Sequence, residues 1–502
     1  MNILYCLRRA KQFHGDSTAS YRQEALTTQS VTWSEFYDRV HRAAAYFRDL
    51  GIQHGDRVAI WMRNSHEYLE LYYATAIAGI VVVPLNTRWN ESDVDFALKD
   101  SDAVALIVDG HFAPLVERLA HAPKVIYAGA GASPVGMIPY GYSDASYAFD
   151  EPDEQDLVGL YYTSGTTGGP KGAMLTHRNL WSNLLHLMLI EPGKAVWLHS
   201  APMFHLADMA SVHRVTSAGG THCYLPTFDP ETCMQLIERY RVTDTVLVPT
   251  MLNMVIHSPA FGKYDLSSLV RFSYGASPMP APLIHTAMKQ MPATSFRQGY
   301  GLTEASPLLT VLEFEDHFGD AVASAGKPAF GTEVRVVDAF DRDVPAGQSG
   351  EIIARGANIM KGYWKRPEVT AEVLRGGWLH TGDVGKFDEN GFLYILDRVK
   401  DMVKPGGENV YTPEVESMLA AHPAVFEAAV IGVADAKWGE AIRAVVTRRP
   451  NMDLTEDELI RWCRDRMTHF KCPSSVVFVD ALPKGGTGKV QKGELRERYG
   501  GG

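Results

Sequence analysis

Short strand-like runs alternate with helical patterns in the first third of the chain, and no other feature restricts the possible fold as strongly. Residues 34–50 carry apolar side chains at close to helical period, and residues 57–62 form an apolar run typical of a buried strand. Asn64 or Ser65 can cap a second helix, and residues 81–85 resemble another strand. The order strand, helix, strand predicts a parallel α/β sheet.

The rest of the chain indicates further subdivision. Alternation continues over residues 157–330, whereas residues 331–396 consist of short β-prone runs separated by turns, as in a small β-rich subdomain. The last hundred residues resemble a compact α/β unit with a capping box. We therefore predict a domain at residues 1–396, a hinge at 397–400 and a second domain at 401–502.

The composition excludes several classes of protein. A net charge of −11 argues against a nucleic-acid-binding protein, which usually has a basic face. The five cysteines are scattered and form no CxxC, so neither a disulfide framework nor a structural zinc site is expected. The longest apolar run, residues 73–85, is too short for a membrane span, and no signal peptide is apparent. We expect a cytoplasmic protein without an integral membrane segment.

A run rich in glycine and hydroxyl residues, at positions 161–172, is the strongest indication of a function. Its glycines allow the backbone N–H groups to approach an anion closely, and Lys171 adds a positive charge. It is not a Walker A loop, because Pro170 and Gly172 occupy positions that require glycine and a hydroxyl residue. We predict that this loop binds phosphate through Thr163, Ser164, Gly165, Thr166, Thr167, Gly168 and Lys171.

The order of residues in this loop resembles the signature of the adenylate-forming superfamily, which includes acyl-CoA synthetases, aryl-CoA ligases and beetle luciferase. Further motifs of that family recur in the expected order at residues 300–304, 380–383, 397–402, 406–409 and 438–440. The resemblance extends from about Trp33 to Leu495. It implies a large N-terminal domain of two α/β subdomains plus a β-rich one, followed by a small mobile C-terminal α/β domain.

The resemblance also implies roles for residues outside the loop. Thr303 and the metal ligands Thr163 and Glu304 would act on the α-phosphate with Mg²⁺, and Lys489 would be the adenylation lysine. The nucleotide would contact Gly275, Ala276, Ser277, Gly299, Tyr300, Gly301, Asp383 and Arg398. Lys400 would be the hinge pivot, and CoA would contact Lys404, Gly406 and Gly407.

Family positions of the acyl pocket correspond to a mixture of small, apolar and polar residues. They are His205, Asp208, Met209, Tyr274, Gly275, Ser306, Pro307 and Leu308. The set lacks an aspartate–lysine pair for an amino acid, although Asp208 leaves that question open. We expect a hydrophobic carboxylic acid, either a fatty acid or an aryl acid such as a hydroxycinnamate.

The implied reaction has two steps. The acid attacks the α-phosphate of ATP, forming an acyl-adenylate and pyrophosphate, and CoA then takes the acyl group. Two anions must approach each other in the first step, so neutralisation of charge and alignment are the main catalytic tasks. The partners would be ATP, CoA and the acid, with Mg²⁺ as cofactor and a possible homodimer as the assembly.

Three alternatives remain open on the sequence alone. A free-standing adenylating enzyme would load a carrier protein instead of CoA. A luciferase-type oxygenase would emit light with a luciferin. A nucleotide sensor would bind ATP without turnover, but it would have no need of Lys489, Glu304 and Asp383.

Overall fold

The computed structural model describes residues 1–24, 27–129, 147–163, 170–277, 279–484 and 490–501. The chain forms two compact units. The first comprises Met1–Val334 with Ala354–Leu379, and the second comprises Arg335–Ile353 with His380–Gly502. The predicted α/β class is confirmed, while the domain boundary at residues 397–400 stays a prediction.

The strands are short, as expected for α/β proteins. In chain order, the strands found among the described residues are β1 (Thr18–Glu24), β2 (Thr27–Thr32), β3 (Arg57–Trp61), β4 (Val81–Pro84), β5 (Ala103–Val108), β6 (Lys124–Tyr127), β7 (Leu157–Thr163), β8 (Lys171–Thr176), β9 (Val196–His199), β10 (Thr221–Tyr224), β11 (Asp244–Leu247), β12 (Arg271–Gly275), β13 (Ser295–Gly301), β14 (Leu308–Leu312), β15 (Lys327–Pro328), β16 (Thr332–Val337), β17 (Gly350–Gly356), β18 (Gly362–Tyr363), β19 (Leu379–Phe387), β20 (Leu393–Arg398), β21 (Val425–Asp435), β22 (Gly439–Arg448) and β23 (Ser475–Phe478).

The helices separate most of the parallel strands. In the same order, the described part of the chain contains α1 (Leu4–His14), α2 (Trp33–Asp49), α3 (His66–Ile77), α4 (Glu91–Ser101), α5 (His177–Ile190), α6 (Leu206–Ser217), α7 (Pro230–Tyr240), α8 (Pro249–Ile256), α9 (Ala281–Gln290), α10 (Pro367–Val373), α11 (Thr412–Ala420), α12 (Glu456–Arg464) and α13 (Lys492–Tyr499). No helix within these described ranges combines the length and apolarity needed to cross a bilayer.

Two sheets organise the first unit. The seven-stranded sheet has the order β18-β8-β7-β4-β3-β5-β6, and the nine-stranded sheet has the order β15-β14-β13-β12-β11-β9-β10-β1-β2. Strands β3 to β6 pair in parallel, as do β9 to β13. The β18 end of the seven-stranded sheet and both ends of the nine-stranded sheet are antiparallel. Every residue of β4 and β11 is buried, as expected where helices cover both faces of a parallel sheet.

The predicted β-rich segment is confirmed by a four-stranded sheet of order β16-β17-β19-β20. The helix α10 inside this segment was not predicted, because its seven residues are too few to show a helical period. In the second unit, β21, β22 and β23 form a three-stranded sheet. Its buried apolar face packs against α11 and α12, so this unit has its own hydrophobic core.

Local signals in the sequence explain where several helices begin. Thr32 and Glu35 form a capping box at the start of α2, and Thr455 and Glu458 form one at α12. The Ser65 hydroxyl accepts from the backbone N–H of Tyr68 and caps α3, which confirms one of the two predicted caps. All five cysteines are free and buried, as expected for a chain without disulfides.

Candidate active site

Strands β7 and β8 hold the two ends of the predicted phosphate loop side by side. Thr163 ends β7 and Lys171 begins β8, and the antiparallel register places them opposite each other. The Thr163 hydroxyl donates to the Lys171 carbonyl over 3.5 Å. Five predicted loop residues lie outside the described part of the chain: Ser164, Gly165, Thr166, Thr167 and Gly168.

Tyr363 connects the lysine of the loop to the candidate metal ligand. Strand β18 pairs with β8, so that Tyr363 lies opposite Ala173. The Lys171 amine lies 5.6 Å from the centre of the Tyr363 ring, and the Tyr363 hydroxyl donates to Glu304 Oε1 at 2.6 Å. Sequence reasoning missed Tyr363, because a tyrosine 59 residues from Glu304 gives no local signal of this contact.

The surroundings of Glu304 suit a carboxylate that binds a hard cation. The residue is 8% exposed, and its backbone carbonyl accepts from the Met360 N–H at 2.8 Å. No lysine or arginine pairs with its carboxylate in the ranges that the structure describes. Those ranges also contain no group of three His, Cys, Asp or Glu side chains that could form a complete metal site. One carboxylate is nevertheless enough for Mg²⁺, which usually keeps water and takes other ligands from phosphates.

Close contacts between backbones require glycine at two of the predicted nucleotide-binding positions, Gly275 and Gly301. Gly275 of β12 lies opposite Gly299 of β13. A Cβ at Gly275 would lie 2.2 Å from the Gly299 carbonyl oxygen, and one at Gly301 would lie 1.8 Å from the Pro307 carbonyl oxygen. The two parallel strands therefore bring the predicted nucleotide residues to the same edge of the sheet, at their carboxyl ends, where ligands of open α/β sheets bind.

A pocket in the first unit joins these nucleotide residues to the predicted acyl site. The empty space among its lining residues, open solvent included, is about 920 Å³. Of the predicted acyl residues it is lined by His205, Tyr274, Gly275, Pro307 and Leu308. Of the predicted nucleotide residues it is lined by Gly275, Ala276, Gly299, Tyr300, Gly301 and Thr303. The lining does not include Asp208, Met209, Ser306 or Ser277.

The Asp208 carboxylate contacts another buried side chain of the protein and does not line the pocket. It is completely buried on α6, and its Oδ2 lies 2.5 Å from His199 Nδ1. His199 Nε2 in turn lies 2.9 Å from His222 Nδ1. His205 precedes α6, and its Nδ1 accepts from the Ala207 N–H at 3.2 Å. The carboxylate that raised the question of an amino-acid substrate is therefore already paired with a histidine.

The charged groups that line the pocket are also paired. Glu191 Oε2 lies 3.1 Å from the guanidinium nitrogen Nε of Arg214, which is completely buried, and Glu191 Oε1 accepts from the Ser273 hydroxyl at 2.8 Å. Arg297 donates to Glu313 Oε2 at 2.6 Å. The rest of the wall is largely apolar, with Leu187, Ile190, Val246, Val248, Leu308 and Val311. Such a pocket suits an uncharged, hydrophobic group.

In the second unit, the two residues predicted to bind ribose are neighbours. Asp383 of β19 lies opposite Arg398 of β20, and Arg398 Nε lies 2.7 Å from Asp383 Oδ1. Asp397 points to a different partner: its Oδ2 accepts from the Thr412 N–H at 2.6 Å and from the Thr412 hydroxyl at 2.9 Å. The pKa of Asp397 is raised above its ordinary value, because the effect of burial exceeds that of the Thr412 hydrogen bonds, which lower it.

The predicted hinge and CoA residues belong to the same unit. Lys400 is exposed as a whole, but partial burial of its amine lowers its pKa. The Lys404 N–H donates to Glu440 Oε2 at 2.6 Å, and the Gly406 N–H donates to the Trp438 carbonyl at 2.8 Å. Two motifs far apart in sequence, around Gly406–Gly407 and Trp438, therefore contact each other. Lys489 lies outside the described residues.

Comparisons with known proteins agree with this geometry. The model of the AMP-binding enzyme family matches residues 7–364, and that of the AMP-binding enzyme C-terminal domain matches residues 414–489. A feruloyl-CoA synthase from Amycolatopsis sp is 42% identical over 480 residues, 94% of each chain. The long-chain-fatty-acid–CoA ligase FadD13 from Mycobacterium tuberculosis is 36% identical over 490 residues, 95% of this chain and 94% of the relative.

A solved structure extends the similarity to the fold. The crystal structure of ATP-bound MatB from Rhodopseudomonas palustris superimposes with a TM-score of 0.88 at 33% identity and covers 99% of both chains. Similarity over the whole length, in sequence and in fold, includes the nucleotide segments described above. The chain therefore belongs to the AMP-binding enzyme family, the adenylate-forming superfamily, and is an AMP-forming acid–thiol ligase of the acyl-CoA synthetase type.

Proposed function

We propose that this enzyme activates a hydrophobic carboxylic acid as its acyl-adenylate and then transfers the acyl group to CoA. The observation that supports the proposal is the shared lining of one pocket. Gly299, Tyr300 and Thr303 of the nucleotide segment line the same cavity as Leu187 and Leu308 of the apolar wall. An acid bound against this wall would have its carboxylate beside the α-phosphate, which replaces a bimolecular encounter by a positioned one.

Two lysines and Mg²⁺ have roles in the proposed first step. Lys171 would neutralise the β- and γ-phosphates, and Lys489 would approach the α-phosphate. Glu304 and Thr163 fit Mg²⁺, since one is a buried carboxylate without a cationic partner in the described structure and the other supplies a hydroxyl oxygen. When bound, Mg²⁺ would offset the negative charge of the phosphates. Replacing Lys489 by Ala should reduce pyrophosphate release at least about 100-fold, because a positioned charge is lost.

Further contacts to the nucleotide and to CoA stay predictions. Asp383 would accept hydrogen bonds from the ribose hydroxyls, because a carboxylate has several acceptor positions. Arg398 would hold that carboxylate in place. Lys404, Gly406 and Gly407 would line the path of the CoA arm. Binding of Mg²⁺, assembly as a homodimer and a cytoplasmic location are likewise part of the proposal.

Pairing of charges in the pocket wall restricts the acid. Glu191 is matched by Arg214 and Arg297 by Glu313. A second carboxylate on the substrate would therefore find no unpaired cation among the lining residues that the structure describes. An ammonium group would not find Asp208, which is bound to His199. These contacts support a monocarboxylic acid with an uncharged body, either aryl or aliphatic.

The purified protein should be incubated with Mg-ATP and a panel of aryl and fatty acids, with and without CoA. Pyrophosphate release and the mass of the thioester should be measured together. We expect both products in equal amounts for the preferred acid. Pyrophosphate without thioester would instead support a carrier protein as acceptor. ATP binding without pyrophosphate release on any acid would contradict the proposed function.

A further inference from the structure

We infer that the Asn183 side chain forms a hydrogen bond with a hydroxyl substituent on the acid. The preferred substrate is then a hydroxylated aryl acid and not a fatty acid. The inference rests on the proposed function, because it assumes that the pocket holds the acyl group. Asn183 was not singled out by any sequence motif. It is 1% exposed and lines the pocket from α5.

The position of Asn183 on α5 explains why it faces the pocket. Asn183, Leu187 and Ile190 have the spacing i, i+4 and i+7, which places them on one face of a helix. All three line the cavity. Two of them supply apolar surface, whereas the third supplies a primary amide. This face of α5 would therefore cover a mostly apolar ligand and offer it one polar contact.

The carbonyl oxygen of the Asn183 side chain is buried without a hydrogen-bond partner anywhere in the described structure. Asn179, one turn earlier on α5, is different. Its amide donates to the carbonyls of Ala357 at 2.8 Å and Ile359 at 2.7 Å, and its oxygen accepts from the Thr176 N–H at 2.9 Å. A structural asparagine on this helix is thus fully paired, and Asn183 does not follow that pattern.

An unpaired buried oxygen of this kind destabilises a folded protein, so its presence in a ligand pocket calls for an external partner. A phenolic hydroxyl can donate to the amide oxygen, and it can also accept from the amide nitrogen. An alkyl chain can do neither and would leave the amide unpaired. A site built around such a contact rejects the analogue without the hydroxyl. The neighbouring charges of Glu191 and Arg297 already have partners, so the ligand is expected to pair with the amide.

The test compares three acids in the wild type and in Asn183→Leu, a variant with the same branching of heavy atoms but no polar side-chain atoms. The acids are 4-hydroxycinnamate, cinnamate and octanoate, and kcat/KM is measured from thioester formation. In the wild type we expect 4-hydroxycinnamate to be preferred over cinnamate by about 10-fold or more. In Asn183→Leu the preference should fall to about 1, because only the hydroxylated acid loses a contact, while cinnamate changes by less than about 3-fold.

A matched control is available on the same helix. His186 is 2% exposed and its Nδ1 is likewise buried without a partner among the described residues, but His186 does not line the pocket. His186→Leu should therefore leave the preference for the hydroxyl unchanged. Thermal unfolding of each variant shows whether it folds, and Asn183→Ala replaces Asn183→Leu if the latter does not fold.

Each remaining outcome has a defined meaning. An equal loss on both cinnamates in Asn183→Leu would overturn the inference, because it would indicate a purely structural role. A wild type that prefers octanoate, or that does not distinguish the two cinnamates, would also overturn it. In both cases continued production of acyl-CoA by the wild type would leave the proposed function intact. Absence of turnover on every acid in the panel would count against the proposed function itself and, with it, the inference.

Discussion

The Tyr363 hydroxyl donates to the Glu304 carboxylate at 2.6 Å, and the same ring lies 5.6 Å from the Lys171 amine. This contact orients the one carboxylate proposed to bind Mg²⁺. Tyr363→Phe removes the donor and leaves the ring. Because a hydrogen bond to a charged group contributes about 1.5–3 kcal/mol, we expect adenylation at limiting Mg²⁺ to slow by about 10-fold or more.

The measurement is the rate of pyrophosphate release as a function of Mg²⁺ concentration. Half-maximal activity should require more Mg²⁺ in Tyr363→Phe than in the wild type. Tyr264→Phe is the matched control. The Tyr264 hydroxyl also donates to a carboxylate, that of Glu231, at 2.9 Å, but neither residue lines the pocket. An identical Mg²⁺ dependence in all three proteins would contradict a role for Tyr363 at the metal site.

Arg214 should be a major determinant of stability, because it is completely buried between two carboxylates. It lies 3.1 Å from Glu191 and 3.2 Å from Asp244. Arg214→Met leaves Glu191 without its cation, and removal of one member of a buried pair destabilises by about 3–5 kcal/mol. The urea concentration at the unfolding midpoint should fall markedly. Arg241→Met, which breaks an exposed pair, should change the free energy of unfolding by less than about 1 kcal/mol.

Glu70 predicts part of the acid sensitivity of the fold. Burial alone would raise its pKa, but His66 and Arg39 outweigh burial and lower it from 4.5 to about 2. A carboxylate with a lowered pKa stabilises the folded state fully at pH values above its pKa in the unfolded chain. That contribution is lost as the pH falls from about 4.5 towards 2. By pH 3.5 the loss should be about 1 kcal/mol.

Glu70→Gln should be less stable than the wild type at pH 7, and the difference should shrink as the pH falls below about 4.5. Urea unfolding midpoints at pH 7, 5, 4 and 3.5 measure this difference. A difference that stays constant over the whole range would show that the charge of Glu70 does not contribute. Glu67→Gln, on the same helix, provides the comparison.

The hinge prediction separates the two half-reactions. Proline fixes φ, so Lys400→Pro should hinder a rotation about this residue. We expect pyrophosphate release within about 3-fold of the wild type and thioester formation from preformed adenylate slowed about 100-fold or more. Single-turnover measurements of each step test this. Lys400→Ala removes the same amine without restricting φ and should slow the second step far less; a uniform loss in Lys400→Pro would contradict the hinge.

Much of the architecture follows from local patterns. The helical period over residues 34–50 and the cap at Ser65 correspond to α2 and α3, and the predicted strands correspond to β3 and β4. Such patterns depend on residues close together in the chain, so they can be read without knowing what packs against them. The helix α10 escaped prediction because it is a short helix inside a β-rich segment.

The candidate site was only partly predictable. His205, Tyr274 and Leu308 line the pocket, although their role in binding an acyl group stays a prediction, whereas Asp208 is turned towards His199 and is not among the lining residues. The sequence spacing places Asp208 on the same helix as the pocket residue Ser211, but it does not say which side of the helix faces the cavity. The orientation of Asp208 follows from its contact with His199, which belongs to β9 of the nine-stranded sheet.

Local sequence patterns were enough to identify the family and to predict α2, α3, β3 and β4, and they made residues 161–172 a candidate phosphate loop. These depend on backbone conformation and on the order of residues within short segments. The fold alone shows that Tyr363 donates to Glu304, that Arg214 pairs with Glu191 and that the side-chain oxygen of Asn183 has no partner among the described residues. Each of these is a contact or a missing contact between segments remote in the chain, and a periodic pattern shows which face is buried but not which side chain meets it.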